Sequence, residues 1–141
     1  MHLHDHLQAF VNGAESATLS VSDADGTQTA ELLGTGIGAA LSPTSLTFPA
    51  QTKGTTSAAK TITLTNYLST ALTISGASFS GTNFGDFAIA PSSTCGSSLA
   101  GNSSCTYNIT FTPSTTSGES ATLSVSDADG TQTAKVSGTG K

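Results

Sequence analysis

The sequence predicts an all-β, immunoglobulin-like antiparallel β-sandwich of about seven strands, with an extra hairpin ahead of it. Three observations carry this. Short segments alternate apolar and polar residues with a period of two, as strands with one face in a core and one in water do. No window sustains an i, i+3, i+4 apolar pattern, and β-branched Thr, Val and Ile are frequent. The sixteen residues Glu15–Ala30 recur unchanged as Glu119–Ala134, and Gly34-Thr35-Gly36 recurs as Gly138-Thr139-Gly140, both at a spacing of 104 residues. A shared spacing of that size marks tandem duplication of one small domain.

The elements follow in chain order. Residues 1–14 hold all three histidines and lie outside the repeat, as a tail or cloning remnant. Residues 15–39 match the closing hairpin of a preceding repeat, with Ala17, Leu19 and Val21 on one face of its first strand. Residues 40–141 form the complete repeat. Its strands are expected near 44–49, 59–66, 70–76, 86–90, 104–112, 119–126 and 131–138. Asp23-Ala24-Asp25-Gly26 and Asp127-Ala128-Asp129-Gly130 separate strand pairs, and Asp-Gly supplies positive φ in hairpin turns. Pro43, Pro49, Pro91 and Pro113 sit at the edges of apolar runs, where a missing N–H does least harm. Phe48, Phe79, Phe84, Phe87 and Phe111 are read as core, and Tyr67 as core or corner packing with an exposed contact as the alternative.

Two strands alone are marginal in water. The orphan hairpin at 15–39 therefore docks on an edge of the complete domain, pairs with another chain, or frays. Its identity to the domain's own closing hairpin points to a homodimer built by exchange through this segment.

Composition narrows the partners. The chain has 141 residues, a net charge of −5 and only four Lys or Arg. That argues against nucleic acid and against anionic lipid, both of which need clustered cations. No apolar run is long enough to insert in a membrane. Charged residues are 9%, well below the usual share, with Ser, Thr, Gly and Ala in their place. This balance suits a secreted or cell-surface protein. Residues 1–14 lack the basic and apolar regions of a signal peptide, so the chain reads as a piece of an exported protein.

Cys95 and Cys105 are the only cysteines, and they flank a Gly/Ser-rich loop. Their parity and setting predict a disulfide. A two-ligand metal site or a reactive thiol are the alternatives, and neither has a His or basic residue close in sequence.

Leu41–Phe48 (LSPTSLTF), Lys60–Asn66 (KTITLTN), Leu72–Ser75 (LTIS), Phe84–Phe87 (FGDF), the Cys95/Cys105 pair, Phe111-Thr112-Pro113, Ala121–Val125 (ATLSV) and Ser137–Gly140 (SGTG) follow one another across residues 41–140. In order and spacing they resemble the ASPM–SPD-2–Hydin (ASH-like) repeats, whose bacterial versions are called choice-of-anchor D or HYDIN-like domains. The resemblance implies an immunoglobulin-like sandwich, tandem arrays in large exported proteins, and no catalysis. It carries over no active-site residues.

Chemistry-bearing residues are few. On a strand, His2, His4 and His6 share one face, and neighbouring pairs lie near enough to chelate one ion. Imidazoles suit zinc, and Asp5 could add a ligand or serve as catalytic helper, giving a small metal-dependent hydrolase. The alternatives are adventitious metal binding and an inert tail. Asp23/Asp25 and Asp127/Asp129 open like calcium loops but lack the later oxygen ligands, so a turn is the first reading and weak calcium binding the second. Asp86 has no acidic neighbour in sequence to make a paired-carboxylate site. A carbohydrate-binding accessory module is a further reading, opposed by the lack of Trp. The first reading of function is a non-catalytic structural or binding module whose partner is a protein or a second copy of itself.

Overall fold

The computed structural model describes residues 13–141. The chain divides into two compact units, Met1–Gly38 and Ala39–Lys141.

In the first unit, β1 (Gly13–Asp23) and β2 (Gly26–Gly36) form an antiparallel hairpin. Glu15 stands opposite Gly34, Ala17 opposite Leu32, and Leu19 opposite Ala30. Ala17, Leu19 and Val21 are half-buried, while Ser16, Thr18 and Ser20 between them are exposed.

The second unit is a sandwich of two sheets. Its strands are β3 (Ala39–Ser42), β4 (Ser45–Thr47), β5 (Lys60–Asn66), β6 (Leu72–Ser80), β7 (Phe87–Ile89), β8 (Ser98–Leu99), β9 (Ser104–Phe111), β10 (Gly118–Asp127) and β11 (Gly130–Thr139). One sheet runs β4-β11-β10-β6-β8 and the other β3-β5-β9-β7. All pairings are antiparallel except β4 with β11, which is parallel. That parallel track continues past β4. Gln51 N–H donates to Thr139 O, and Lys141 N–H donates back to Gln51 O, both at 2.9 Å.

Alternation in the sequence becomes alternation in space. Ile62 and Leu64 of β5, Ile109 and Phe111 of β9, Leu123 and Val125 of β10, and Val136 of β11 are fully buried. The Phe111 ring stacks on Phe87 at 5.0 Å between centroids, and Phe48 lies 5.7 Å from Phe111. Gly138 makes room for this ring: a methyl group at that position would overlap Phe111. Asn66, also fully buried, closes the β5–β6 corner. Its amide donates to the carbonyls of Thr70, Leu99 and Ala100, and its Oδ1 accepts the Leu68 N–H.

The seven expected strands of the repeat are present, with three differences in the strands and two in the aromatic residues. Ala39–Ser42 is an additional edge strand, and Ser98–Leu99 adds a two-residue one. β6 runs on through Gly76 to Ser80, because its pairing with β10 shifts register at Ser126/Asp127 instead of ending there. Phe84 is not core: it is 58% exposed in a 3-10 turn, Phe84–Asp86, which turns its ring outward. Tyr67 is likewise 58% exposed, since the buried Asn66 beside it takes the corner.

The turns also differ in detail. The two-residue β10–β11 connection is Ala128-Asp129, and the positive φ of 130° falls on Gly130, the first residue of β11. Gly26 takes the same place in β2, with φ 120°. The Asp side chains fix this choice. Asp127 Oδ1 accepts the Asp129 N–H, and Asp23 Oδ1 accepts the Asp25 N–H, both at 2.8 Å. Such a bond mimics a backbone turn and holds the corner on the Ala-Asp pair.

Candidate functional site

The sequence-predicted residues fall in different places. His2, His4, His6 and Asp5 lie outside the described residues. Among the described residues, no three His, Cys, Asp or Glu side chains gather to hold a metal ion. Asp23 and Asp25 cap one hairpin, and Asp127 and Asp129 the other. Asp129 also anchors a neighbouring strand. Its Oδ2 accepts the Ala39 N–H at 3.0 Å, fixing the start of β3. Burial raises the Asp127 carboxyl above its ordinary range, opposed by the hydrogen bond from the Asp129 N–H.

Cys95 and Cys105 are joined in a disulfide, with Cα atoms 4.9 Å apart. Cys105 belongs to β9, and Cys95 to the loop ahead of β8. The same loop is laid along β9 by Thr94 N–H and Cys95 N–H, both donating to Thr106 O. The bridge thus fastens a Gly/Ser-rich loop whose Leu99 is buried in the core.

One constellation was not legible in the sequence. Glu119, the second residue of β10, is 2% exposed. Its Oε1 accepts the Thr115 N–H at 2.7 Å and the Thr115 hydroxyl at 2.6 Å. Asp86, in the 3-10 turn, accepts the Ser114 hydroxyl on its Oδ2 at 3.0 Å. Burial, and then the charge of Glu119, raise the Asp86 carboxyl above its ordinary range against the Ser114 bond. Burial pushes Glu119 upward too, but hydrogen bonding, first of all from Thr115, outweighs it and leaves that carboxyl lowered. The two acids thus act on one another as like charges, with Glu119 the one held ionised and its Oε2 buried without a hydrogen-bond partner. Thirty-three residues of sequence separate them, so only the fold brings them together. The repeated Glu-Ser-Ala-Thr-Leu string was the available signal, since a Glu opening an alternating strand on its apolar face demands a partner.

The largest contrast concerns the two hairpins. Residues 15–36 and 119–140 differ only at Glu31/Lys135, Leu32/Val136 and Leu33/Ser137. They adopt the same register, with Ala17 opposite Leu32 as Ala121 is opposite Val136. Yet Ala121, Leu123, Val125 and Val136 are buried, while Ala17, Leu19, Val21 and Leu32 are only half-buried. One face of β1–β2 is therefore apolar and half-buried, and Leu33, opposite Ser16, stands on the other face, 74% exposed.

No protein-family model matches the sequence, and no curated protein does. Solved structures do. The ASH/PapD-like domain 7 of human CEP192 matches with a TM-score of 0.56 at 19% identity, over 74% of this chain and 85% of that domain. The VesB protease of Vibrio cholerae matches with a TM-score of 0.56 at 20% identity, over 72% of this chain. VesC, a secreted serine protease of the same organism, matches with a TM-score of 0.50 at 16% identity, over 67% of this chain. The chain spans about a third of VesB (32%) and 21% of VesC. With its disulfide and its two antiparallel-dominated sheets, the chain has an ASH-like, PapD-like immunoglobulin fold.

Proposed function

We propose that this chain is a non-catalytic structural and binding module of an exported tandem-repeat protein, and that its partners are proteins, a second copy of itself among them. The observation that carries this reading is the closing hairpin that occurs twice, 104 residues apart, in one register. Repetition of a whole supersecondary unit is how arrays are built, each repeat contacting its neighbours. On this reading the divisions of the chain are repeat boundaries: 15–39 closes one sandwich and 40–141 makes the next.

An oxidising, extracellular location is supported by the Cys95–Cys105 disulfide and by the low charge content. The partial cover of two Vibrio proteases, one named as secreted, supports use of such a module inside larger exported polypeptides. The described surface favours contact over chemistry: its side chains are mostly Ser and Thr, and the buried carboxyl of Glu119 is engaged by Thr115.

Two measurements test this. Protease treatment of intact producing cells should release fragments of the chain, and their retention until lysis would overturn the exported location. Ester, amide and phosphoester hydrolysis with and without zinc should give no turnover. Turnover abolished by His4→Ala would replace this reading with the metal-dependent hydrolase.

A further inference from the structure

The half-buried apolar face of β1–β2 has a known complement, because its near-identical twin is seen fully seated. In the second unit, Leu123 lies opposite Phe79 and Val125 opposite Ala77 of β6, and β4 flanks β11 on the other side. Phe111 fills the space over Gly138. β1–β2 carries the same groups at the same spacing: Leu19, Val21 and Gly34. Of the three differences, Leu32 for Val136 adds volume on the inner face, while Lys135 is exposed and Ser137 half-buried on the outer one. The slot that accepts β10–β11 is thus shaped for β1–β2.

That slot cannot be the one in the same chain. The β10–β11 turn lies at the start of β3, where Asp129 receives the Ala39 N–H. The other end of β11, at Thr139, is a full ten-residue strand away, roughly 30 Å at strand rise. Seated there, Gly36 would have to reach Ala39 through Ile37 and Gly38 alone, a span of at most about 11 Å. The chain is too short by a wide margin.

We propose, building on the repeat reading above, that β1–β2 is a closing hairpin able to take the β10–β11 slot of a second copy of this chain. It enters when that copy's own hairpin lifts out. Among the described residues each copy offers one such slot and two hairpins of nearly equal fit, so exchange conserves the buried surface. Its extent is set by how firmly β10–β11 holds its place. The contact is reciprocal in a pair of copies and head-to-tail in a longer series.

The test uses the full chain. Leu123→Asp puts a charge at a fully buried site and disables β10–β11 as a closing hairpin. The proposal expects this variant to keep the β-sheet circular dichroism of the parent and to run in light scattering as two or more chains. Adding Leu19→Asp should abolish that rescue and leave an unfolded monomer. Equal loss of structure in the single and double variants, or a folded monomer in the single one, overturns the proposal. A second measurement leaves the slot unaltered. Ser124 stands opposite Ser78, so Ser20 of an entering hairpin takes that position. Chains carrying Ser20→Cys should oxidise onto chains carrying Ser78→Cys. Chains carrying Thr18→Cys, which belongs opposite Ser80, should do so several-fold less. Equal crosslinking by both overturns the register. Neither result depends on export or on the hydrolysis screen, so this inference and the module reading fail separately.

Discussion

Glu119 is an ionisable side chain held inside an apolar sandwich, and its energetics follow from its partners. As a carboxylate it receives two bonds from Thr115, one from the N–H and one from the hydroxyl. Glu119→Gln keeps the shape but removes the charge, and is expected to destabilise the fold at neutral pH by about 1–3 kcal/mol in urea titration. The sign with pH is set by the lowered carboxyl. Its contribution is present above the ordinary value of 4.5 and is lost as pH falls through the lower, folded value. Asp86 acts in the opposite sense. The fold holds its proton above the ordinary 3.8, so stability declines as pH rises through the interval above that value. Asp86→Asn removes the like charge that acts on Glu119. It should therefore unfold at higher urea than the parent at pH 7 and at nearly the same urea below pH 3.8. A parent-like midpoint at both pH values would show that the two carboxyls do not repel one another.

Among elements, the loop pinned to β9 and the two hairpins are the informative ones. Removing the bridge with Cys95→Ala/Cys105→Ala frees a short loop, and loop entropy puts the cost at about 2–3 kcal/mol, read as a lower urea midpoint. The hairpins offer a comparison with sequence held constant. Because Glu15–Ala30 and Glu119–Ala134 are the same string, their intrinsic amide exchange rates match, and any difference reports structure. The amides of Leu19 and Val21 are expected to exchange orders of magnitude faster than those of Leu123 and Val125, since a two-stranded ribbon whose apolar face is only half-buried opens readily. Equal protection would mean that the apolar face of β1–β2 is covered in solution.

At the scale of the molecule, alternation and repetition made the sandwich legible from residues alone. Thr61–Thr65 and Tyr107–Phe111 state both their strand character and their inner face. β3 was not legible, because Ala39–Ser42 is short and begins in a Gly-rich run whose place is fixed by Asp129, ninety residues on. Phe84 misled for a related reason: an aromatic residue reads as core until a local turn aims it outward. The acid pair was hidden because proximity between β10 and the 3-10 turn is a property of topology, which no local pattern records.

The parallel run of β4 and its extension against β11 has a mechanical consequence. A segment near the start of the repeat engages its last strand, in the same direction, from Lys135 on Thr44 through to Lys141 on Gln51. Tension applied between the two ends of the repeat would load these hydrogen bonds side by side in shear, so several must rupture together rather than unzip singly. Stretched end to end in a force spectrometer, residues 39–141 should resist to a higher rupture force than when pulled across the antiparallel β10–β11 pair, where the bonds break in succession.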